Sequence, residues 1–159
     1  MTNDELLAEI ARGRAEFEEA AAALGAERRT EPVFDDGWTF KDILAHILTW
    51  EKIAMGVVRS GGFSGPSPDE PESGQGVTDA INAKVYADNR DRALDDVVAE
   101  SDRVYAELRE FIAALPDGRL DERLTGEGDP PLVREMLSGN GHEHYREHAA
   151  WIRAALAGR

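Results

Sequence analysis

Apolar residues recur at steps of three, four or seven in four long segments of this chain, which is the spacing of amphipathic α-helices. No segment shows the alternation of apolar and polar residues that a half-buried β-strand requires. At 159 residues the chain can bury the core of one domain, so the pattern predicts an all-α fold, a single four-helix bundle covering residues 1–159. The predicted helices span about residues 3–24, 39–58, 94–115 and 129–156, of which the second and the last are counted from their N-caps.

Capping residues support the predicted helix starts. Thr2 with Glu5, and Thr39 with Asp42, have the spacing of a capping box, in which a side-chain oxygen accepts a hydrogen bond from the first turn. Asp129 is the candidate N-cap of the last helix, because proline follows it in the first turn.

The connection after the second helix is unusually long for a compact domain. Residues 60–76 are rich in Gly, Ser, Pro and acidic side chains and predict a loop, after which Thr78 is the candidate cap of a short helix through Tyr86. The expected bundle therefore carries a long loop and a short helix between helices 2 and 3.

Composition narrows the chemistry. The chain has no cysteine, which excludes disulfides and a cysteine nucleophile and leaves His, Asp and Glu as metal ligands. Its net charge of −14 argues against binding to nucleic acid or to an anionic membrane. There is no leader pattern and no run of roughly 18 apolar residues. We therefore expect a cytoplasmic protein whose partner is a small molecule.

Three of the four histidines fall on apolar helix faces. His46 lies on the stripe of helix 2, and His144 and His148 lie one turn apart on the stripe of the last helix, whereas His142 points roughly the other way. Two imidazoles one turn apart can direct nitrogens to one point, and a third from a facing helix completes a metal site with open coordination positions. The alternative is that each histidine fills a gap in the core with one hydrogen bond.

We assign no catalytic role to the residues that neighbour the histidines in the sequence. In HEHYREH, Arg146 stands where a zinc-protease motif needs its second histidine, so that class is excluded. Glu143 and Glu147 are expected to be solvated and to pair with nearby arginines such as Arg146. Trp50 and Trp151 lie on the inner stripes, as core residues or as walls of a pocket.

The segment GWTFKDILAHILTWE, followed by a last helix bearing HYREH, resembles the DinB-like (DinB/YfiT) superfamily of four-helix bundles over essentially the whole chain. This resemblance implies a divalent metal, commonly nickel or zinc, bound by one His of the second helix and an HxxxH pair of the last. The corresponding residues are His46, His144 and His148.

The middle of the chain, from NAKVYADNRDR to FIAALPDGRL, looks most like the ClbS/DfsB-like branch of that superfamily, which is linked to colibactin self-protection. Members of the branch need not keep the three histidines, and the opening of a reactive cyclopropane known there does not depend on them. This chain retains all three.

The leading hypothesis is a metal-dependent small-molecule enzyme, either a thiol transferase or isomerase or a hydrolase. The resemblance implies mycothiol or bacillithiol as the thiol cosubstrate. Two alternatives stay open: a metal-free ClbS-like protective hydrolase, and a non-catalytic protein that sequesters a reactive metabolite. A homodimer is compatible with such a bundle.

Overall fold

Six α-helices and two short 3-10 helices make up the described part of the chain. A computed structural model describes residues 1–32, 34, 37–63 and 75–158. Within these ranges there is no β-strand. The 3-10 helices are Ala26–Thr30 and Arg119–Asp121, and the α-helices are α1 (Asn3–Leu24), α2 (Phe40–Ser60), α3 (Gln75–Asn89), α4 (Leu94–Ala113), α5 (Val133–Gly139) and α6 (His142–Ala157).

The four long helices α1, α2, α4 and α6 form the predicted four-helix bundle. Helix α1 packs along α6 and also contacts α4, while α2 packs along α4 and also contacts α6. The apolar stripes of these helices meet in one continuous core. Helix α3 lies on the outside against α2, and α5 packs between α2 and α6. The all-α bundle predicted from the periodicity is confirmed.

Both predicted capping boxes are present and fix where α1 and α2 begin. At the start of α2, the hydroxyl of Thr39 accepts a hydrogen bond from the backbone N–H of Asp42 at 3.2 Å, and the Asp42 carboxylate accepts one from the backbone N–H of Thr39 at 2.8 Å. Gly61, with φ of 84°, ends the same helix in the left-handed conformation. These signals place His46 in the second turn of α2.

The prediction of one long last helix is wrong, because the chain divides it into α5 and α6. Asp129 is not its N-cap and pairs instead with Arg123 at 2.8 Å, in the turn before Leu132 caps α5. The break falls at Gly141, where an added Cβ would lie 2.7 Å from the carbonyl oxygen of Leu137. The periodicity concealed the break because both helices face the same core.

The predicted connection between α2 and the following helix is only partly described. Helix α3 begins at Gln75, so Thr78 lies inside the helix and does not cap it. The helix also continues to Asn89, one turn beyond the predicted end at Tyr86. Residues 64–74 of the predicted loop lie outside the described residues.

In the ranges that the structure describes, none of the helices combines the length and the apolarity needed to cross a lipid bilayer.

Candidate metal centre

The three inward histidines meet between α2 and α6. The Nε2 atom of His144 lies 2.8 Å from Nε2 of His46 and 3.0 Å from Nε2 of His148. One nitrogen from each ring belongs to a group in which all ligand atoms lie within 4.8 Å of one another. The histidines predicted on the inner faces of two different helices therefore form a single cluster.

Burial keeps the three imidazoles neutral at pH 7. It lowers the pKa of His46 to about 4, although the hydrogen bond with Asn82 opposes the shift. The same desolvation, with the neighbouring imidazoles adding repulsion, lowers the pKa of His144 to about 3 and that of His148 to about 2. A neutral imidazole offers a nitrogen lone pair, which is the form that binds a metal ion.

The chemistry and spacing of the cluster fit a divalent metal ion. Two nitrogens bound to zinc at its usual distance and at a tetrahedral angle are about 3.3 Å apart, close to the distances between the Nε2 atoms. His144 Nε2 cannot both donate a proton to one neighbour and accept one from the other. All three Nε2 lone pairs are satisfied at once if they share a metal ion. Three such ligands leave coordination positions open.

Asn82 of α3 is the polar partner of His46. Its Oδ1 atom lies 3.0 Å from Nδ1 of His46 and accepts a hydrogen bond from the indole N–H of Trp50, also at 3.0 Å. The Nδ1 atoms of His144 and His148 are buried and have no hydrogen-bond partner among the described residues. Asn82 was not predicted, because helical periodicity does not reveal a hydrogen bond between two elements.

All three tryptophans of the chain lie beside the cluster. The ring centroids of Trp38 and Trp50 lie 5.6 Å and 6.3 Å from that of His46, and the Trp151 ring lies 4.4 Å from that of His148. Trp151 is 44% exposed and Trp50 is half-buried, so neither is an ordinary core residue. Of the two readings that the sequence left open, this arrangement favours walls beside the histidines.

His142 does not belong to the cluster. It is buried against α1, where Gly13 leaves room for it, and its Nδ1 atom lies 3.2 Å from the guanidinium group of Arg146. Glu143 and Glu147 are exposed, as expected. The expectation that Arg146 pairs with them is wrong, because its ion pairs reach across to Glu9 and Glu16 of α1.

A second buried polar group, absent from the sequence-based prediction, joins the four long helices. The guanidinium group of Arg14 donates to the hydroxyl of Ser101 at 2.9 Å and to that of Tyr145 at 3.4 Å. The Tyr145 hydroxyl in turn donates to the carboxylate of Glu51. Burial raises the pKa of Glu51 to about 7, although Tyr145 and Arg14 act to lower it. We call these four residues the polar core network.

The sequence did contain a signal for this network. Arg14 lies four residues after Ile10 and three before Phe17, and all three side chains are buried. Glu51 has the same relation to Ile47 and Ala54. A charged residue at an inward position of an apolar stripe marks a buried ion pair or hydrogen-bonded group.

The fold and the cluster together define an all-α bundle with three convergent histidines between two of its helices. The DinB superfamily model matches residues 4–152, and the chain belongs to this superfamily. The resemblance stated from the sequence is confirmed. No curated protein sequence matches the chain.

Solved structures with the same fold share little sequence with this chain. One is an uncharacterised protein from Escherichia coli UTI89, with TM-score 0.80 and 18% identity over 99% of this chain and 94% of the other. The sibling lethal factor precursor DfsB has a TM-score of 0.77 and 18% identity over 97% of this chain and 94% of the other. The colibactin self-resistance protein ClbS was solved in complex with double-stranded DNA. It has a TM-score of 0.77 and 12% identity over 98% of this chain and 95% of the other.

Proposed function

We propose that this chain is a divalent-metal-dependent enzyme that acts on a small molecule, with nickel or zinc held by His46, His144 and His148. The observation that carries the proposal is the convergence of three neutral imidazoles, each with one ring nitrogen within 4.8 Å of the others. Membership of the DinB superfamily supports it. We propose further that residues 1–159 act as one domain in the cytoplasm.

The residues of the site suggest how it would work. A divalent ion bound there would act as a Lewis acid and lower the pKa of a bound water or thiol. The chain has no cysteine, so a thiol nucleophile must come from a cosubstrate such as mycothiol or bacillithiol. The histidines hold their donor atoms in place because they are packed among aromatic rings. Their burial keeps bulk water from competing for the Nε2 atoms.

The second candidate is a metal-free role, as a protective hydrolase or as a protein that sequesters a reactive metabolite. It is favoured by one observation: His144 Nε2 lies within hydrogen-bonding distance of His46, so the cluster can hold together through a shared proton. ClbS, described as a self-resistance protein, has the same fold. This candidate predicts that loss of one histidine leaves activity largely unchanged.

Metal content separates the two candidates. Protein purified without a histidine tag should contain about one nickel or zinc per chain by elemental analysis, and His144→Ala should lose it. His142→Ala is the matched control, because it removes a histidine of the same helix that lies outside the cluster. Lack of metal after incubation with both ions, or equal metal content in the three proteins, would overturn the proposal.

We propose no nucleic-acid partner for this chain, although ClbS was solved with double-stranded DNA. The net charge of −14 repels a phosphate backbone. Fluorescence anisotropy with a labelled duplex at low salt should therefore show no binding by the intact protein. Salt-sensitive binding would contradict this expectation.

Sedimentation of the same sample measures the mass of the particle in solution and so tests whether the chain forms a homodimer.

A further inference from the structure

Helix α3 is outside the four-helix core, yet one of its side chains reaches the histidine cluster. Asn82 contacts two residues of α2 that lie one turn apart, His46 and Trp50. Both contacts use the same amide atom, Oδ1. The arrangement of protons around this atom can be worked out from the chemistry of its neighbours.

The indole N–H of Trp50 can only donate a hydrogen bond, so the Asn82 atom 3.0 Å from it must be the oxygen. An amide oxygen can only accept. The Nδ1 atom of His46, also 3.0 Å from that oxygen, must therefore carry a proton. A neutral imidazole has one N–H, so Nε2 of His46 keeps its lone pair, directed at His144 Nε2.

We propose that Asn82 is a positioning residue for the metal centre: it fixes the tautomer of His46 so that the Nε2 lone pair faces the cluster. This inference rests on the proposed function for its metal-binding consequence, but the tautomer itself can be observed without metal. A hydrogen bond from Nδ1–H to an oxygen also raises the basicity of the opposite nitrogen and fixes the ring orientation. Trp50 contributes indirectly, because its indole N–H holds the Asn82 amide in the required orientation.

The test combines metal affinity with the tautomer of His46. Asn82→Leu keeps the size of the side chain and removes the acceptor, whereas Asn82→Asp keeps an acceptor for both N–H groups. Asn89→Ala is the matched control on the same helix, since Asn89 bonds only to Val85 and Arg92 among the hydrogen bonds identified for it. Affinity for Zn²⁺ is measured by competition with a chromophoric chelator, and helical content by circular dichroism.

We expect Asn82→Leu to weaken zinc binding about 10- to 100-fold. Asn82→Asp and Asn89→Ala should stay within about threefold of the wild type, by the same reasoning. In the metal-free protein, ¹⁵N chemical shifts of the imidazoles should show His46 protonated at Nδ1 in the wild type, with that preference lost in Asn82→Leu.

Two results would overturn the inference. One is a wild-type His46 protonated at Nε2 in the metal-free protein. The other is equal zinc affinity for the wild type and Asn82→Leu. If the wild type binds no zinc, the proposed function fails, and the ¹⁵N spectra still decide whether Asn82 sets the tautomer.

Discussion

The hydroxyl of Tyr145 donates a hydrogen bond to the carboxylate of Glu51 where neither side chain is exposed to solvent. Arg14, also buried, lies on the other side of the Tyr145 hydroxyl at 3.4 Å. The second oxygen of Glu51 has no hydrogen-bond partner among the described residues. A carboxyl group in this environment is easier to keep protonated than ionised, which gives it a measurable effect on stability.

We expect Glu51→Gln to stabilise the protein relative to the wild type at pH 8.5 and to have little effect at pH 5. The folded pKa of Glu51 is raised from 4.5 to about 7, so the stability from its neutral form is present below pH 4.5 and lost as the pH rises through 7. At about 1.4 kcal/mol per pKa unit, ionisation of Glu51 should lower the free energy of unfolding by a total on the order of 3 kcal/mol. Urea unfolding of the wild type and of Glu51→Gln at both pH values measures this difference.

Glu19→Gln is the control for this comparison, because Glu19 is exposed on α1. It should change stability by less than about 0.5 kcal/mol at either pH. A stability difference between Glu51→Gln and wild type that does not change with pH would contradict the assignment of a raised pKa to Glu51.

The histidine cluster should make the metal-free protein acid-sensitive. The folded pKa values of His46, His144 and His148 are lowered from 6.5 to about 4, 3 and 2, so the stability they contribute is complete above pH 6.5 and is lost progressively as the pH falls through these values. At pH 5 each histidine should lower the free energy of unfolding by at most about 2 kcal/mol, relative to its value above pH 6.5. His148→Leu should unfold with a shallower pH dependence between pH 7.5 and 5, and an unchanged dependence would refute this account.

Tryptophan fluorescence should report metal binding directly. All three tryptophan rings lie within 6.3 Å of a histidine ring of the cluster, and Trp151 is the nearest at 4.4 Å. Ni²⁺ has unpaired electrons and should quench this emission, with saturation at one ion per chain, whereas Zn²⁺ should not. Trp151→Phe should lose a large part of the quenching. Saturating Ni²⁺ without quenching would place the ion elsewhere.

Replacement of two helical glycines by alanine should change the stability of the protein in opposite directions. A Cβ at Gly13 would lie 2.8 Å from the Cα atom of His142, so Gly13→Ala must push α1 away from α6 and should cost about 1–3 kcal/mol. Gly56 is exposed on α2 and a Cβ there would meet no atom within 4 Å. Gly56→Ala should therefore stabilise by about 0.5–1 kcal/mol. Thermal unfolding of both variants tests the pair, and equal effects would contradict the close packing at Gly13.

Sequence periodicity predicted the bundle and the histidine cluster because each depends on which face of a helix a residue occupies. His144 and His148 share a face through their spacing alone, and His46 follows once α2 packs near α6. The division of the last helix was missed because α5 and α6 continue the same apolar pattern. Asn82 was missed because it depends on how α3 docks, which no repeat within one helix determines.

Each of the four long helices contributes one residue to the polar core network: Arg14 from α1, Glu51 from α2, Ser101 from α4 and Tyr145 from α6. Apolar stripes alone would tolerate a helix that slides by one turn or exchanges places with its neighbour. Either change would separate the Arg14 guanidinium group from Ser101 and Tyr145 and leave a buried donor unpaired, at a cost of about 1–3 kcal/mol, while its ion pair with Glu18 of the same helix would remain. The network thus discriminates against misassembled bundles, and the same four residues that join the helices also determine which order of helices the chain can adopt.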